Sequence, residues 1–187
     1  MTMMKITPSA ASLSATRHDG LTIALHWLTA ALVVLQFLLA ETWDFFPKPA
    51  RHLMIVGHIS FGLVLAAVFG ARLLWRATPG RRHFNDGPDL ASRAARLMHR
   101  LLYLLLGAEI ILGVFTRWTD NHPLTLFGLL IPSPFGTFSK VTGEWVDQIH
   151  DITAWSIIIL AGAHAAMALV HHYLMRDDVL RRMMPGR

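Results

Sequence analysis

A chain of 187 residues that is 53% hydrophobic and only 16% charged, with a mean hydropathy of +0.44, is too apolar for an ordinary soluble domain and of a length for one membrane bundle. Its 17 Lys and Arg against 12 Asp and Glu would suit nucleic acid in a polar protein; in a chain this apolar the excess is topology information, and no nucleic-acid partner is expected. The lack of cysteine excludes disulfides, iron-sulfur clusters, thiolate ligation of haem and covalent haem attachment.

Four segments reach the ~20 predominantly apolar residues that a helix needs to cross a bilayer. The first, 21–40, follows a long polar stretch, and Glu41-Thr42-Trp43-Asp44-Phe45-Phe46 after it offers no small-residue cleavage site. It is therefore expected to stay as a helix rather than be removed as a signal peptide. Pro47 and Pro49 make a short connection to 52–75, which ends on Arg72 and Arg76. Pro79 to Pro88, with glycines and charges, leads to 97–116, where Glu109 stands in mid-span. The longest connection, 117–145, holds an apolar run around Trp118, Leu124, Phe127 and Leu130 that is too short to span and is expected to lie on the membrane over one end of the bundle. The last segment is 149–173. The reading is an all-α, integral membrane four-helix bundle, one domain over 1–187, with no repeat or low-complexity tract.

Charge orients this bundle. Lys5 and Arg17 in the amino tail, Arg72, Arg76, Arg81, Arg82, Arg93, Arg96 and Arg100 around the second connection, and Arg176, Arg181, Arg182 and Arg187 at the carboxyl end fall on one side. The other side has Lys48, Arg51, Arg117 and Lys140. By the positive-inside rule both termini are cytoplasmic, and in a bacterial inner membrane the other side is periplasmic.

The histidines carry the most information. His150 and His164 lie fourteen residues apart on one segment, which puts them on nearly the same helix face and roughly 21 Å apart along the axis. Entering from the cytoplasm, His26 lies at the depth of His164; entering from the periplasm, His58 lies at the depth of His150. Four imidazoles thus pair into two stacked bis-histidine sites, which suggests two haems, because ionisable residues inside a span are costly and usually face the bundle interior and neutral imidazole is a good ligand for iron. Gly57, Gly62, Gly70 and Gly162 add small surfaces on the same helices, as ordinary transmembrane packing also does. His99, near His26 in depth, is read as a hydrogen-bonding partner to a propionate, a quinone or headgroups rather than as a ligand. His171 and His172 read as interfacial, and His18, His52, His83 and His122 as loop or interface residues. Arg72 and Arg76 are placed to bind propionates or headgroups. Glu109 is expected to be protonated and hydrogen-bonded in the bundle in preference to serving proton transfer.

Over essentially its whole length the chain resembles the bacterial cytochrome b561 family. The likeness is carried by Leu25-His26-Trp27-Leu28, by Gly57-His58-Ile59-Ser60 with Arg72-Leu73-Leu74, by His99 with Tyr103-Leu104-Leu105, and by Ile149-His150-Asp151 with Ala163-His164-Ala165-Ala166. The tail, Ala168-Leu169-Val170-His171-His172-Tyr173 and Leu180-Arg181-Arg182-Met183-Met184-Pro185, is similar to that of the di-haem members that oxidise superoxide. The resemblance implies two haem b groups, one held by His26 and His164 on the cytoplasmic side and one by His58 and His150 on the periplasmic side. It also implies an enzyme that oxidises superoxide to oxygen and passes the electrons to ubiquinone, in contact with membrane lipids. Arg51 and Arg117, beside the periplasmic helix ends, are the candidates for steering the anion. The alternatives are a di-haem subunit linking quinone to another redox partner and a histidine-rich metal transporter; against the transporter, the spans lack the acidic cluster that hard cations prefer.

Overall fold

The computed structural model describes residues 19–78, 90–126 and 129–184. Lys5, Arg17, His18, Arg81, Arg82, His83, Phe127 and Arg187, and with them most of the expected amino tail and second connection, lie outside the described residues. Four helices follow in order: α1 Gly20–Thr42, α2 Lys48–Ala77, α3 Leu90–Thr119 and α4 Lys140–Val170. All four are long and apolar enough to cross a membrane.

Three of the four helices begin on a local signal. Asp19 caps α1 by accepting from the Thr22 backbone N–H at 3.0 Å, and its carboxylate also takes the indole N–H of Trp75 at 3.2 Å, pinning the start of α1 to the end of α2. Pro47 precedes α2 and Pro49 sits in its first turn, where the missing N–H costs nothing. Ser139 caps α4 through the Thr142 N–H at 3.2 Å. All four helices are longer than the apolar segments that announce them. α4 starts at Lys140 rather than 149 and α3 at Leu90 rather than 97. Hydropathy marks the stretch that lipid touches, whereas the helix begins where a cap satisfies its first N–H groups; the Lys140–Glu144 pair at 3.6 Å lies in the polar turns ahead of the span.

Between α3 and α4 the run expected to lie on the membrane is partly a small antiparallel hairpin, β1 Leu124–Leu126 and β2 Leu129–Ile131, with Leu124 opposite Ile131. Trp118 ties it to the end of α3 by donating from its indole to the Ile131 carbonyl at 3.3 Å, and Phe115, Trp118 and Phe135 stack beside it. The end of the bundle with this hairpin is called the hairpin end; the other is the terminal end.

α1 packs mainly on α2 and α3 mainly on α4, and lighter α2–α3 and α1–α4 contacts close the ring. The core is one layer with a residue from each helix: Leu32, Leu65, Leu106 and Ile157, with Phe69 and Ile110 against it. Ile157 stands seven residues from both His150 and His164, about 10 Å of helix either way, so the apolar layer separates the two histidine levels. Outward the bundle shows Leu74 at 75%, Leu104 at 70% and Ile159 at 65% exposure, a surface that lipid, not water, suits.

At the terminal end α4 runs into a π-helical turn, His171–Met175, and reverses at Arg176 in the left-handed region (φ 55°). The reversal is closed by His171 Nδ1 donating to Asp177 Oδ2 at 2.5 Å, and the tail returns to α1, where the Trp27 indole donates to the Met183 carbonyl at 2.7 Å. The bond from His171 holds the Asp177 carboxyl below the ordinary carboxylate range. A depressed folded value means that the stabilisation is full above the unfolded value of about 3.9 and is lost as pH falls through the folded one. A nitroxide on Leu180→Cys, the single thiol in a chain without cysteine, should therefore report a held tail at pH 7 that loosens only below about pH 4. Asp177→Asn should leave it loose at pH 7.

Candidate functional site

Two histidine pairs face each other across the bundle at two levels. At the hairpin end, the rings of His58 on α2 and His150 on α4 have centres 6.4 Å apart and planes 89° apart. Each residue follows the first residue of its helix by ten, which is why they meet. At the terminal end, His26 on α1 and His164 on α4 have ring centres 6.5 Å apart and planes at 76°. His26 is six residues after the start of α1 and His164 six before the end of α4.

The hairpin-end pair is held from behind. His58 Nδ1 lies 3.1 Å from the Gln36 backbone carbonyl, while the Gln36 side-chain amide donates to the His58 carbonyl at 2.9 Å. This reciprocal link between α1 and α2 makes Nδ1 the donor and leaves the Nε2 lone pair facing the bundle, the tautomer a metal ligand needs. Gly62 makes room for it: a Cβ there would stand 2.8 Å from Gln36 Nε2. His150 rests on α3, where a Cβ at Gly113 would meet its Cε1 at 3.3 Å. One turn before Gly113, Glu109 brings Oε1 within 3.1 Å of His150 Nδ1. The N–H direction is not aligned for a hydrogen bond at that distance, and both Nδ1 and Glu109 Oε2 are buried without a hydrogen-bond partner.

The terminal-end pair has the opposite surroundings. The Arg72 guanidinium lies 3.1 Å from His26 Nδ1; arginine has no lone pair, so Nδ1 is the acceptor there. A ring bound through Nε2 keeps its proton on Nδ1, so ligation by His26 requires Arg72 to give up this bond. Arg72 and Arg76 also lie over the Tyr103 ring, at 5.0 and 5.5 Å from its centre. His99 packs edge-on to His164 with ring centres 5.1 Å apart.

These distances test which group each pair fits. A metal–imidazole bond is about 2.0–2.1 Å and the ring centre lies roughly 1 Å further back, so two rings on opposite sides of one metal atom have centres roughly 6 Å apart. Both His26/His164 and His58/His150 meet this separation; His99 and His164 are too close for it and match ring packing instead. Each pair offers two nitrogens, whereas a bare ion such as zinc takes three or four protein ligands, and no cluster of three or more His, Asp or Glu is arranged for an ion among the described residues. A macrocycle that brings its own in-plane nitrogens suits a two-histidine site.

The two steering candidates are less free than their sequence positions imply. Arg51 is paired with Asp44 at 2.9 Å, and Arg117 is half-buried with its Nε lacking a partner. His52 and His122 are exposed, as expected of loop and interface residues. Gln36 is the functional neighbour that sequence reasoning misses. Its only signal is an amide in an otherwise apolar span.

The chain also has recognisable relatives. The profile of the family described as Prokaryotic cytochrome b561 matches residues 17–186. The chain is 31% identical over 176 residues to cytochrome b561 homolog 2 of Escherichia coli, covering 90% of this chain and 91% of that one. It is 29% identical over 179 residues to cytochrome b561 homolog 1 of the same organism, covering 91% and 98%. It is 27% identical over 175 residues to a probable superoxide oxidase of Yersinia pestis, covering 91% and 97%.

The Gln36–His58 link predicts a measurable coupling. Gln36→Leu should cost about 1 kcal/mol of unfolding free energy in detergent, and Gly62→Ala, which pushes the amide off the His58 carbonyl, a similar amount. Because both remove one interaction, the double variant should lose little more than either alone; additive losses would separate Gly62 from Gln36.

Proposed function

The chain belongs to the prokaryotic cytochrome b561 family, multi-pass membrane electron-transfer proteins with haem b, and from that premise we propose that it carries electrons across the membrane through two haems. In this reading His58 and His150 hold one haem at the hairpin end, and His26 and His164 hold the other at the terminal end. The observation that carries it is the repetition of one ring separation, 6.4 and 6.5 Å, at two levels either side of one apolar layer. Held by two imidazoles, a haem at either site would supply outer-sphere single-electron transfer rather than oxygen binding. The protein holds the ring tautomers, excludes water at the Leu32–Leu65–Leu106–Ile157 layer and sets the charge around each site.

The finer reading names the ends of the path. By the charge asymmetry the termini are cytoplasmic, so the hairpin end is periplasmic. There superoxide is oxidised to oxygen, and ubiquinone in the membrane takes two electrons and two protons to become quinol. Superoxide as donor is supported by the similarity to the Yersinia relative and by Arg117 beside the helix ends. A specific observation favours a second reading, a protein donor docking on that face. Lys48, Arg51, Arg117 and Lys140 share it with Glu41, Asp44, Asp120, Glu144 and Asp147, and two of the four cations are paired with Asp44 and Glu144.

Haem content tests the ligands. His58→Ala or His150→Ala should remove one haem per protein, His26→Ala or His164→Ala the other, and His122→Ala none; loss of a full haem in His99→Ala with none in His26→Ala breaks the pairing.

Salt dependence tests the donor. Charge steering weakens as ions screen it, with a Debye length of about 10 Å at 0.1 M. If superoxide is the donor, reduction of the purified protein by superoxide in detergent should be fast and slow as salt rises. It should slow again in Arg51→Gln and Arg117→Gln, with haem retained and Arg181→Gln at the terminal end unchanged. A slow rate that salt leaves alone or raises points to the docked protein donor.

A further inference from the structure

Glu109 is the one carboxyl in the middle of α3, in a stretch where a charge is expensive. The sequence gives it no partner, and the structure gives it one on another helix. Its Oε1 is 3.1 Å from His150 Nδ1, and the two side chains are 15% and 23% exposed. Its Oε2 and the His150 Nδ1 are both buried without a hydrogen-bond partner. Gly113, one turn further on α3, lets the His150 ring lie flat enough on the helix for its Nδ1 edge to reach Glu109, since any side chain there would press on Cε1 at 3.3 Å. The unpartnered Nδ1 thus has the Glu109 carboxyl, through Oε1, within 3.1 Å.

We propose that Glu109 is a positioning residue: it fixes the His150 ring through Nδ1 and, by its negative charge, holds the reduction potential of the hairpin-end haem below that of the terminal-end haem. The proposal rests on His150 being a haem ligand. A ligating histidine whose second nitrogen donates to a carboxylate is a stronger donor to the metal than one that donates to a neutral carbonyl. Donation and the nearby negative charge both favour ferric over ferrous iron, because second-shell hydrogen bonds and net charge set such potentials. The other members of the two pairs make the contrast. His58 Nδ1 donates to the neutral Gln36 carbonyl, whereas the Arg72 cation stands beside His26, and its charge, even once its bond to Nδ1 is given up on ligation, favours the reduced state. A carboxylate at one level and a guanidinium at the other make electron passage from the hairpin end to the terminal end downhill.

The test is a potentiometric titration of the purified holoprotein in detergent at fixed pH, with haem content measured on the same sample. Glu109→Gln keeps the volume and an acceptor oxygen and removes only the charge. It should retain both haems and raise the lower of the two potential steps by about 59 mV, a roughly tenfold fall in the ferric to ferrous ratio at a given applied potential for a one-electron couple. The upper step should stay in place. Two haems with both steps unmoved overturn the proposal. If Glu109→Gln does not assemble, Glu109→Asp decides, because it keeps the charge but withdraws the oxygens from Nδ1 by one methylene. Its lower step must then rise by less than tenfold, and an unmoved step sinks the idea. His150→Ala is measured beside them. Loss of one haem there with no shift in the Glu109 variants removes only the role of Glu109, whereas retention of both haems removes His150 as a ligand and the proposal with it.

Discussion

Inside hydrocarbon no water satisfies the second nitrogen of an imidazole, and the rest of this bundle is arranged around that constraint. A buried ring with an unmet N–H or lone pair costs on the order of 1–3 kcal/mol, and four such rings in a four-helix protein are a large fraction of a stability of roughly 5–15 kcal/mol. The structure meets the constraint across helices rather than within them. His58 on α2 donates to a carbonyl of α1 and His26 on α1 accepts from a guanidinium of α2, while Nδ1 of His150 on α4 faces a carboxyl of α3 at 3.1 Å without a hydrogen bond. His58 and His26 therefore each tie two helices together as well as facing the centre. In a membrane, where burial of apolar side chains drives helices together only weakly, such links supply part of the register that a soluble bundle takes from its core.

That dependence also explains what the sequence shows and what it hides. The four spans, the pairing of His26 with His164 and of His58 with His150, and their two depths follow from hydropathy, helical rise and basic residues. All three are properties of one segment at a time, and the pairing comes from comparing depths. The ring separations of 6.5 and 6.4 Å agree with it. Helix starts are less legible. Lys140 to Gln148 read as a loop because they are polar, but the Ser139 cap makes them helix, and His150 consequently stands well inside α4 rather than at its edge.

What one segment cannot reveal is a partner on another. Glu109 is conspicuous in the sequence because a carboxyl there is costly, yet nothing along the chain points from α3 to His150. The expectation from the sequence is a protonated, hydrogen-bonded carboxyl; His150 is its neighbour at 3.1 Å with no hydrogen bond formed, and the proposed role of Glu109 instead requires it charged. Gln36 is quieter still, since an amide in a span is no oddity; its role depends on Gly62 of a different helix leaving room for it. The hairpin at 124–131 was hidden for another reason: a three-residue strand pair has too little alternation to separate it from an apolar loop. His99 shows how depth alone leaves a competitor open. It lies at the right level for His164, and only the 5.1 Å separation of the rings sets it apart from the ligand pairs.

The two levels are built alike in geometry and unlike in charge, and the difference matters more to a relay than the likeness. Equal ring separations make both sites competent to hold the same group, but two identical sites would share an electron evenly and give no direction. Direction needs an asymmetry close to the ligands and shielded from solvent, because charges on the exposed faces are screened within about 10 Å at 0.1 M salt. Glu109 and Arg72 are placed that way. Each lies about 3 Å from a ring nitrogen in surroundings of low dielectric, where a single charge acts more strongly than several at the surface. The Arg51–Asp44 and Lys140–Glu144 pairs at the rim largely cancel themselves. The rim charges can then select what approaches the hairpin end, while the two half-buried ones bias which way an electron moves once it is inside.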